Sequence, residues 1–355
     1  MASKTIVDIA RAAGVSFKTV SRVINREPRV RKETRERVES VIAKLNYEPN
    51  PWARALRSSR THLVGFICNS ATPSYVNRAQ ASAMETCQSA GYHLLVEEIH
   101  KYKSDLKNFV PKFLDSVHLD GVVLLPPVSD YAAVMDGLER AKLPFVRISP
   151  YEDLARGLSV RVDDYSAAYR MTAYLRGLGH RAIAFIKGPA SHAATHERLR
   201  GFLTAMADGG LAVDPSHVVS GAFSTPSGMA ACEKLLKTQP RPTAIFASND
   251  DMAIGVLAAA HRAGLAVPED VSVAGFDDSP AASSVWPRLT TVRQPIPRLA
   301  QVATTMLIDR IESGEPKRPQ ELELKLVIRE SAGAPAAAAK GGKRRGSARR
   351  RIRAA

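Results

Sequence analysis

Residues 5–25 read TIVDIARAAGVSFKTVSRVIN, and this stretch decides the fold of the first part of the chain. Its apolar residues recur at helical spacing on both sides of Gly14-Val15-Ser16, which predicts two short helices joined by a tight turn. Gly14 can adopt a positive φ angle in that turn, and Ser16 can cap the second helix. The pattern indicates a helix-turn-helix, whose core would contain Ile9, Ala10, Ala13, Val15, Val20, Val23 and Ile24.

The second helix would present a polar and basic outer face. Lys18 and Arg22 suit guanine N7 and O6 in the major groove, whereas Thr19 and Ser21 suit phosphate oxygens. An ordinary pair of packed helices is the alternative, because two helices and a glycine turn are common. A face able to reach base edges and phosphates favours DNA recognition instead.

A third helix is predicted from about Lys32 to Leu45, and it would supply Val38, Val41, Ile42 and Leu45 to the same core. Asn50 can cap a further short helix that starts at Pro51. Because an isolated helix of fewer than about 12 residues is marginal in water, we expect this hinge segment to become ordered only on DNA, with Leu56 as a wedge in the minor groove. The predicted DNA contacts are Thr5, Ser16, Phe17, Lys18, Thr19, Ser21, Arg22, Asn25, Leu56 and Arg57.

The net charge of +15 is concentrated at the two ends of the 355-residue chain. Residues 1–62 carry a charge of +8, residues 333–355 another +8, and the residues between them −1. A basic end on a nearly neutral globule is typical of a dedicated module that neutralises phosphates. The basic tail is predicted to be disordered; it would either add weak, non-specific DNA affinity or have no role.

Beyond Arg60 the pattern changes to short apolar runs alternating with helical stretches, as in LVGFICN, GVVLLPP, AIAFIKG and AIFASN. This alternation predicts parallel α/β sheets with helices on both faces. About 270 such residues favour two lobes over one sheet. The predicted organisation is an all-α helix-turn-helix headpiece (1–48), a hinge helix and linker (49–62), a two-lobed α/β sensor similar to periplasmic binding proteins (63–331) and the tail (332–355).

Ligands of such folds bind outside the carboxyl ends of the strands, so polar and aromatic residues after the apolar runs are candidate effector contacts. Carboxylates, amides and arginines hydrogen-bond vicinal hydroxyls, and an aromatic ring stacks on a sugar face. Helix capping is the alternative role for Asp250 and Asp278. The predicted effector contacts are Asn69, Tyr75, Arg147, Asp163, Arg198, Phe223, Asn249, Asp277 and Gln294.

The headpiece sequence, continued by VRKETRERVESVIAKLNYEPNPWARALR, resembles the DNA-binding headpiece and hinge of the lac repressor/gal repressor family. The segments ERLRGF, FASNDDMAIG, SVAGFDD and LTTVRQP resemble the sensor domain of that family. The resemblance covers residues 3–331 and implies a homodimer on a pseudo-palindromic operator. It also implies that Phe17, Lys18 and Arg22 read bases, that Leu56 intercalates, and that Arg198, Asn249 and Asp277 bind the effector.

One position departs from the family pattern. The strand end in FVRIS is often acidic in the family, whereas this chain has Arg147. If Arg147 faces the pocket, it would favour an acceptor-rich or anionic ligand such as a sugar acid, a sugar phosphate or a glycoside. A structural salt bridge to a neighbouring carboxylate is the alternative.

Several other chemistries are not supported by the sequence. His192 and His196 lie four residues apart but lack further ligands, so we expect them to line a pocket or face solvent, with no metal site and no cofactor. The adjacent pairs Asp250/Asp251 and Asp277/Asp278 would diverge and not face each other across a glycosidic bond. No nucleophile-elbow, P-loop or dinucleotide pattern is present, so the chain is not expected to be an enzyme.

The cysteines Cys68, Cys87 and Cys232 are odd in number and lie in apolar runs, which favours a reducing compartment. No signal peptide and no membrane span are predicted. The predicted protein is a cytoplasmic repressor of carbohydrate-utilisation genes, controlled by a sugar or sugar derivative. A sugar-binding transport protein and a carbohydrate-active enzyme with an added DNA module are the alternatives.

Overall fold

The computed structural model describes residues 5–24, 27, 29–45, 60–69, 73–99, 105–315 and 318–336. The chain divides into two compact units, Met1–Leu63 with His118–Asp120 and Val64–Val117 with Gly121–Ala355. The first unit contains the helices of the headpiece. The second contains two parallel sheets, each forming one lobe of the sensor domain, so the predicted two-lobed α/β class is confirmed.

The headpiece contains α1 (Ile6–Ala13), α2 (Phe17–Ile24) and α3 (Lys32–Lys44). Thr5 starts α1 with a capping box, in which its backbone N–H donates to Asp8 Oδ2 at 2.9 Å and its hydroxyl accepts from the Asp8 N–H at 3.4 Å. Gly14 ends α1 at φ 63°, a left-handed conformation that glycine adopts without steric cost. Ser16 Oγ then accepts from the Thr19 N–H at 3.2 Å and caps α2.

The three helices enclose the small core that the sequence predicted. Ile9 and Val20 are fully buried there, and Val38 of α3 completes the contact. The helices α1 and α2 have eight residues each, and helices this short are not stable alone in water. The position of α2 therefore depends on its packing against α1 and α3. Val15, Ile24, Val41, Ile42 and Leu45 pack around this centre and are partly buried.

The first lobe of the sensor is a six-stranded sheet in the order β11-β5-β4-β3-β1-β2. Pairs β1/β3, β3/β4, β4/β5 and β11/β5 are parallel. The helices α4 and α11 pack against each other, and α5 packs against α6. The elements are β1 (Leu63–Cys68), α4 (Pro73–Ser89), β2 (His93–Glu98), α5 (Leu106–Ser116), β3 (Gly121–Leu124), α6 (Ala132–Arg140), β4 (Phe145–Ile148), β5 (Leu158–Val162), α11 (Ile296–Ser313) and β11 (Gln320–Leu322).

The second lobe is a four-stranded parallel sheet in the order β7-β6-β8-β9. Two helix pairs, α7 with α8 and α9 with α10, make its largest helix contacts. The strands β10 and β12 form an antiparallel pair beside it. The elements are α7 (Asp164–Gly177), β6 (Ile183–Lys187), α8 (Ala193–Asp208), β7 (Val218–Ser220), α9 (Thr225–Leu235), β8 (Ala244–Ala247), α10 (Asp250–Arg262), β9 (Ser272–Ala274), β10 (Thr291–Arg293) and β12 (Lys325–Val327).

The chain passes between the lobes three times: between β5 and α7, between β10 and α11, and between β11 and β12. The first passage falls at Asp163 and the second at Gln294. Because parallel strands all point their carboxyl ends to one edge, the loops after the strands of both lobes meet at these passages. That edge contains the candidate effector pocket described below.

Candidate functional site

The helix α2 presents the outward face that the sequence predicted. Phe17 is 46% exposed although it is a large apolar residue, and Lys18 and Arg22 are exposed beside it. Val20 and Val23 point into the core from the opposite face. An exposed aromatic residue on the same helix as two exposed cations is suited to contact base edges, because the headpiece core does not bury it.

The small polar residues of the headpiece have structural partners. Thr5 caps α1, and Ser16 caps α2 while its hydroxyl lies 2.9 Å from the Thr19 hydroxyl. The guanidinium of Arg22 lies 3.7 Å from Glu27 at the surface. Capping therefore accounts for Thr5 and Ser16, whose DNA contacts stay predictions, as does that of the half-buried Ser21. Asn25, Leu56 and Arg57 lie outside the described residues.

A pocket between the lobes gathers side chains from the ends of nearly every strand. About 480 Å³ of free space lies among them, including the part open to solvent. Six of the predicted effector residues line it, and all follow the carboxyl end of a strand: Tyr75, Arg198, Phe223, Asn249, Asp277 and Gln294. Pro126, Ser149, Tyr151, Asp164, His192 and Ala194 complete the lining.

Arg198, on α8, is held at the pocket by two hydrogen bonds from its guanidinium group. Its Nε donates to Asp164 Oδ1 at 2.6 Å, and its Nη1 donates to the Ser248 carbonyl at 2.5 Å. The guanidinium lies 3.6 Å from the ring centroid of Phe276, in cation–π geometry. Asp164 raises the pKa of Arg198 against the opposing effect of burial, so the arginine is charged and its charge is paired.

Asn249 has two roles at the end of β8. Its Oδ1 accepts from the Met252 N–H at 3.0 Å and caps α10. Its Nδ2 donates to the Phe223 carbonyl at 3.2 Å, which holds that aromatic residue at the pocket wall. Asn249, and not Asp250, therefore caps α10. Asp250 accepts instead from the Ser279 N–H and the Thr291 hydroxyl, both at 2.6 Å.

Asp277 is the second acidic residue of the pocket. Burial raises its pKa well above the usual value, and the nearby Arg198 opposes that rise. Its backbone has φ 114°, and Phe223 has φ 55°, both of which are unfavourable for residues with a Cβ atom. Strain of this kind persists where the surrounding structure imposes it, and it is common at ligand sites.

Several polar atoms of the lining make no well-formed hydrogen bond to the described part of the chain. They are the Tyr75 hydroxyl, the Ser149 hydroxyl and Gln294 Oε1, and all three are buried. Buried polar groups without partners are costly unless a ligand or water satisfies them. The pocket therefore offers hydrogen-bonding capacity that the protein itself does not use.

Three predicted effector residues lie outside the pocket lining. Asn69 follows β1 without reaching it, and Asp163 is exposed and caps α7 by accepting from the Ser166 N–H at 2.9 Å. Arg147 is fully buried in the first lobe, where its guanidinium pairs with Asp130 at 3.0 Å. Arg147 therefore forms the structural salt bridge and does not face the pocket. Its side chain points into the first lobe, toward Ser129 and Asp130.

Sequence reasoning missed one acidic and one aromatic residue of the lining, Asp164 and Tyr151. Asp164 adjoins the predicted Asp163: the first of two consecutive aspartates caps the helix, and the second, in its first turn, turns inward and is buried. Tyr151 lies in a loop three residues beyond β4, where no periodicity marks it. His192, noted as a residue that would line a pocket or face solvent, lies in the lining.

His192 packs its ring edge-on against Phe223, with the ring centroids 5.2 Å apart. Burial, together with the positive charge of Arg198, lowers the pKa of His192 to about 4. The imidazole is therefore neutral at pH 7. Within the described residues no group of three or more His, Cys, Asp or Glu side chains is placed to hold a metal ion, and no described helix is long and apolar enough to cross a membrane.

Family models match both parts of the chain. Residues 5–50 match the model of bacterial regulatory proteins, lacI family, and residues 172–332 match the periplasmic binding protein-like domain. The HTH-type transcriptional repressor PurR of Edwardsiella ictaluri is 35% identical over 336 residues, which cover 92% of this chain and 96% of that protein. The HTH-type transcriptional regulator DegA of Bacillus subtilis is 33% identical over 332 residues, covering 92% and 97%.

Solved structures show the same architecture. A complex of the transcriptional regulator CelR with cellobiose is 30% identical, with a TM-score of 0.70, and the match covers 93% of this chain and 100% of that one. The lac repressor dimer bound to operator and the anti-inducer ONPF is 27% identical, with a TM-score of 0.77 and coverage of 94% and 100%. These likenesses extend over the headpiece and both lobes.

Proposed function

The chain belongs to the lacI family of bacterial regulatory proteins and is a DNA-binding transcriptional repressor, not an enzyme; from this premise we propose that it represses carbohydrate-utilisation genes and that a neutral sugar in the interlobe pocket controls its binding to the operator. A repressor acts on the chromosome, so we expect it in the cytoplasm. The single observation that carries the choice of ligand is the charge of the pocket lining.

The charge of the lining favours a neutral ligand over an anionic one. Arg198 is neutralised by Asp164 at 2.6 Å, and Asp277, whose pKa burial raises, adds a second acidic side chain to the same space. Arg147, which would have favoured a sugar acid or a sugar phosphate, is directed away from the pocket. An anionic ligand would thus meet two acidic side chains, Asp164 and Asp277, and an arginine whose charge is already paired, at a cost in desolvation that no further described cation of the lining offsets.

The shapes and polarities of the lining fit a polyol. Asp277 and Gln294 offer acceptors for hydroxyl groups, and Arg198 has a further guanidinium nitrogen, Nη2, that takes part in neither of the two hydrogen bonds described above. Phe223 and His192 form an aromatic wall on which the apolar face of a pyranose can stack. The cellobiose complex of CelR is a precedent for a sugar ligand in this fold.

A thermal-shift screen tests the proposal. Neutral mono- and disaccharides are compared with their phosphates and acids, and each compound that stabilises the protein is then tested for release or retention of an operator duplex. We expect hits only among the neutral compounds, and we expect Asp277→Ala to abolish them. Selective stabilisation by sugar phosphates would contradict the charge argument, and hits that Asp277→Ala does not alter would place the ligand elsewhere.

Base readout by α2 is the corresponding proposal for the headpiece. Arg22→Ala should weaken specific operator binding by about 1–3 kcal/mol and leave non-specific binding little changed, as expected for a bidentate contact to guanine. Arg11→Ala is the matched control, because Arg11 is also cationic and exposed but lies on α1. Equal losses from both variants on specific and random duplexes would indicate that Arg22 contributes only charge.

We also propose that the protein is a homodimer, as the lac repressor is in its operator complex. An apolar surface on the second lobe supports this, because Trp286 is 82% exposed beside Val285, Ile254 and Leu257. Trp286→Lys should convert the dimer to a monomer in sedimentation equilibrium. Leu203→Lys, at another exposed apolar residue of the same lobe, should leave the dimer intact; a dimer that survives Trp286→Lys would rule out this surface.

A further inference from the structure

The loop between β4 and β5 is held to the first lobe at its inner side by Arg147. All five N–H groups of the buried guanidinium are used: Nε donates to the Ser129 carbonyl at 2.6 Å and Nη2 to Asp130 Oδ1 at 3.0 Å. The other bonds reach the loop itself, at the carbonyls of Glu152, Asp153 and Arg156, at 2.6, 2.8 and 3.3 Å. An arginine with every donor satisfied is a rigid anchor.

The side chains of Asp130 and Arg156 make further hydrogen bonds that fix the same loop. Asp130 Oδ1 also accepts from the backbone N–H groups of Tyr151 and Glu152, at 2.9 and 3.1 Å. At the outer side, Arg156 donates to Asp136 and Glu139 of α6, both at 2.7 Å. The loop backbone is therefore determined by the first lobe alone, including the left-handed conformations of Ser149 (φ 46°) and Asp153 (φ 44°).

From this anchored loop, the Tyr151 side chain reaches the second lobe. Its hydroxyl donates to Asp164 Oδ2, at the start of α7. Asp164 is 1% exposed, and its other oxygen, Oδ1, holds Arg198 at 2.6 Å. Burial and the neighbouring Asp164 raise the pKa of Tyr151, so the hydroxyl stays protonated and donates. A chain of three side chains thus joins the first-lobe loop to the pocket arginine.

We infer that Tyr151 is a positioning residue: its hydroxyl occupies the second oxygen of Asp164 and so fixes the Asp164–Arg198 pair only when the two lobes are closed. This inference rests on the proposed role of the pocket in effector binding. Arg147 and Asp130 serve it indirectly, because they hold the loop that carries Tyr151. Arg147 thereby contributes to ligand recognition without facing the ligand.

The consequence is a link between lobe closure and the geometry of the pocket. A hydrogen bond to a charged, buried carboxylate has a net worth that corresponds to roughly a tenfold change in an equilibrium constant or more. Removing the Tyr151 hydroxyl should therefore shift the ligand-free protein toward open conformations by about that factor. A sugar that binds the closed form should then lose affinity in proportion to the fall in the closed fraction, and at most by a similar factor.

The test compares Tyr151→Phe with Tyr169→Phe in the full-length chain. Tyr169 is the matched control: its hydroxyl donates to Asp208 at 2.9 Å, but α7 and α8 both belong to the second lobe. Spin labels are placed on cysteines introduced at the exposed residues Glu85 and Lys234, one in each lobe; the native cysteines are buried. Labelled chains are diluted with unlabelled ones, and the interlobe distance distribution is measured by pulsed EPR without ligand.

We expect Tyr151→Phe to broaden the distribution toward longer distances, and Tyr169→Phe to superimpose on the parent, with similar thermal midpoints for both variants. A Tyr151→Phe distribution identical to the parent would overturn the inference. The readout needs no ligand, so it is independent of the sugar screen: a shifted distribution with no sugar hit would refute only the proposed ligand. If a sugar is found, its affinity for Tyr151→Phe should fall by the same ratio as the closed fraction in the distance distributions, and an affinity that does not follow that ratio would also refute the positioning role.

Discussion

Two polar clusters of the sensor domain differ in how completely they satisfy their own groups. Around Arg147 in the first lobe, every guanidinium donor has an acceptor within the protein. Around Arg198 in the pocket, buried oxygens of Tyr75, Ser149 and Gln294 make no well-formed hydrogen bond with the part of the chain that the structure describes. Both arginines are buried and paired with an aspartate. Burial of charge by itself therefore does not identify a ligand site.

The largest effect should come from the saturated cluster. Arg147→Met leaves Asp130 partly buried without its cation and several loop carbonyls without donors, so the free energy of unfolding should fall by about 3–5 kcal/mol. Urea denaturation of the sensor domain within the full-length chain measures it. Adding Asp130→Asn should recover part of the loss, because the uncompensated carboxylate is removed. A loss below about 1 kcal/mol would remove the contrast between the clusters.

Acid pH should act on the pocket through His192. Its pKa is about 4 in the folded protein and 6.5 for a free imidazole, so between these values the unfolded chain binds a proton that the folded chain does not. The free energy of unfolding should thus decrease as the pH falls from 7 to 5, by about 2 kcal/mol from this group. His192→Gln should abolish that share in urea titrations at the two pH values.

The raised pKa of Asp250, about 7, acts in the opposite direction, because the folded chain then binds the extra proton. Comparing His192→Gln with the parent at each pH cancels this contribution. Identical pH dependence in the two proteins would mean that His192 is not neutral and buried as described. The pocket would then be more hydrated than the lining suggests.

Asn249 lines the pocket, but both groups of its side-chain amide have partners within the protein. Asn249→Ala removes the cap of α10, so stability should fall by about 1 kcal/mol, and it also frees the Phe223 carbonyl. Asn249→Asp keeps a capping oxygen and should retain most of the stability while losing the Nδ2 donor. Chemical denaturation separates the two variants; equal stability of Asn249→Ala and the parent would exclude the capping role.

The smallest effect is expected at the unsatisfied atoms. Tyr75→Phe removes a buried hydroxyl that has no well-formed partner, so the free energy of unfolding should change by less than about 0.5 kcal/mol. The same variant should lower the affinity for a sugar found in the screen. A destabilisation above about 1 kcal/mol would show that the hydroxyl is satisfied in the ligand-free protein.

The headpiece was predictable from sequence almost in full because its contacts are local. The spacing of Ile9, Val20 and Val23 fixes which faces pack, and Gly14 marks the turn. The strand ends were predictable for the same reason, since polar residues after apolar runs in a parallel sheet converge on one edge. Arg198, Asn249 and Asp277 were found in this way.

The directions of individual side chains at that edge could not be predicted from the sequence. Asp163 and Asp164 are chemically identical neighbours, and only the start of α7 directs one to solvent and the other to Arg198. Sequence also left two roles open for Arg147, and the acceptors that select between them come from residues 129–130 and 152–156, brought together by folding.

The sequence by itself determined the headpiece, the alternation of strands and helices, and the edge at which the candidate pocket lies, because these depend on periodicity and on the directions of parallel strands. Tertiary structure alone decided that Arg147 stays out of the pocket, which aspartate pairs with Arg198 and how Tyr151 bridges the lobes. Those choices depend on contacts between residues distant in the chain, where burial requires each charge and donor to find a partner.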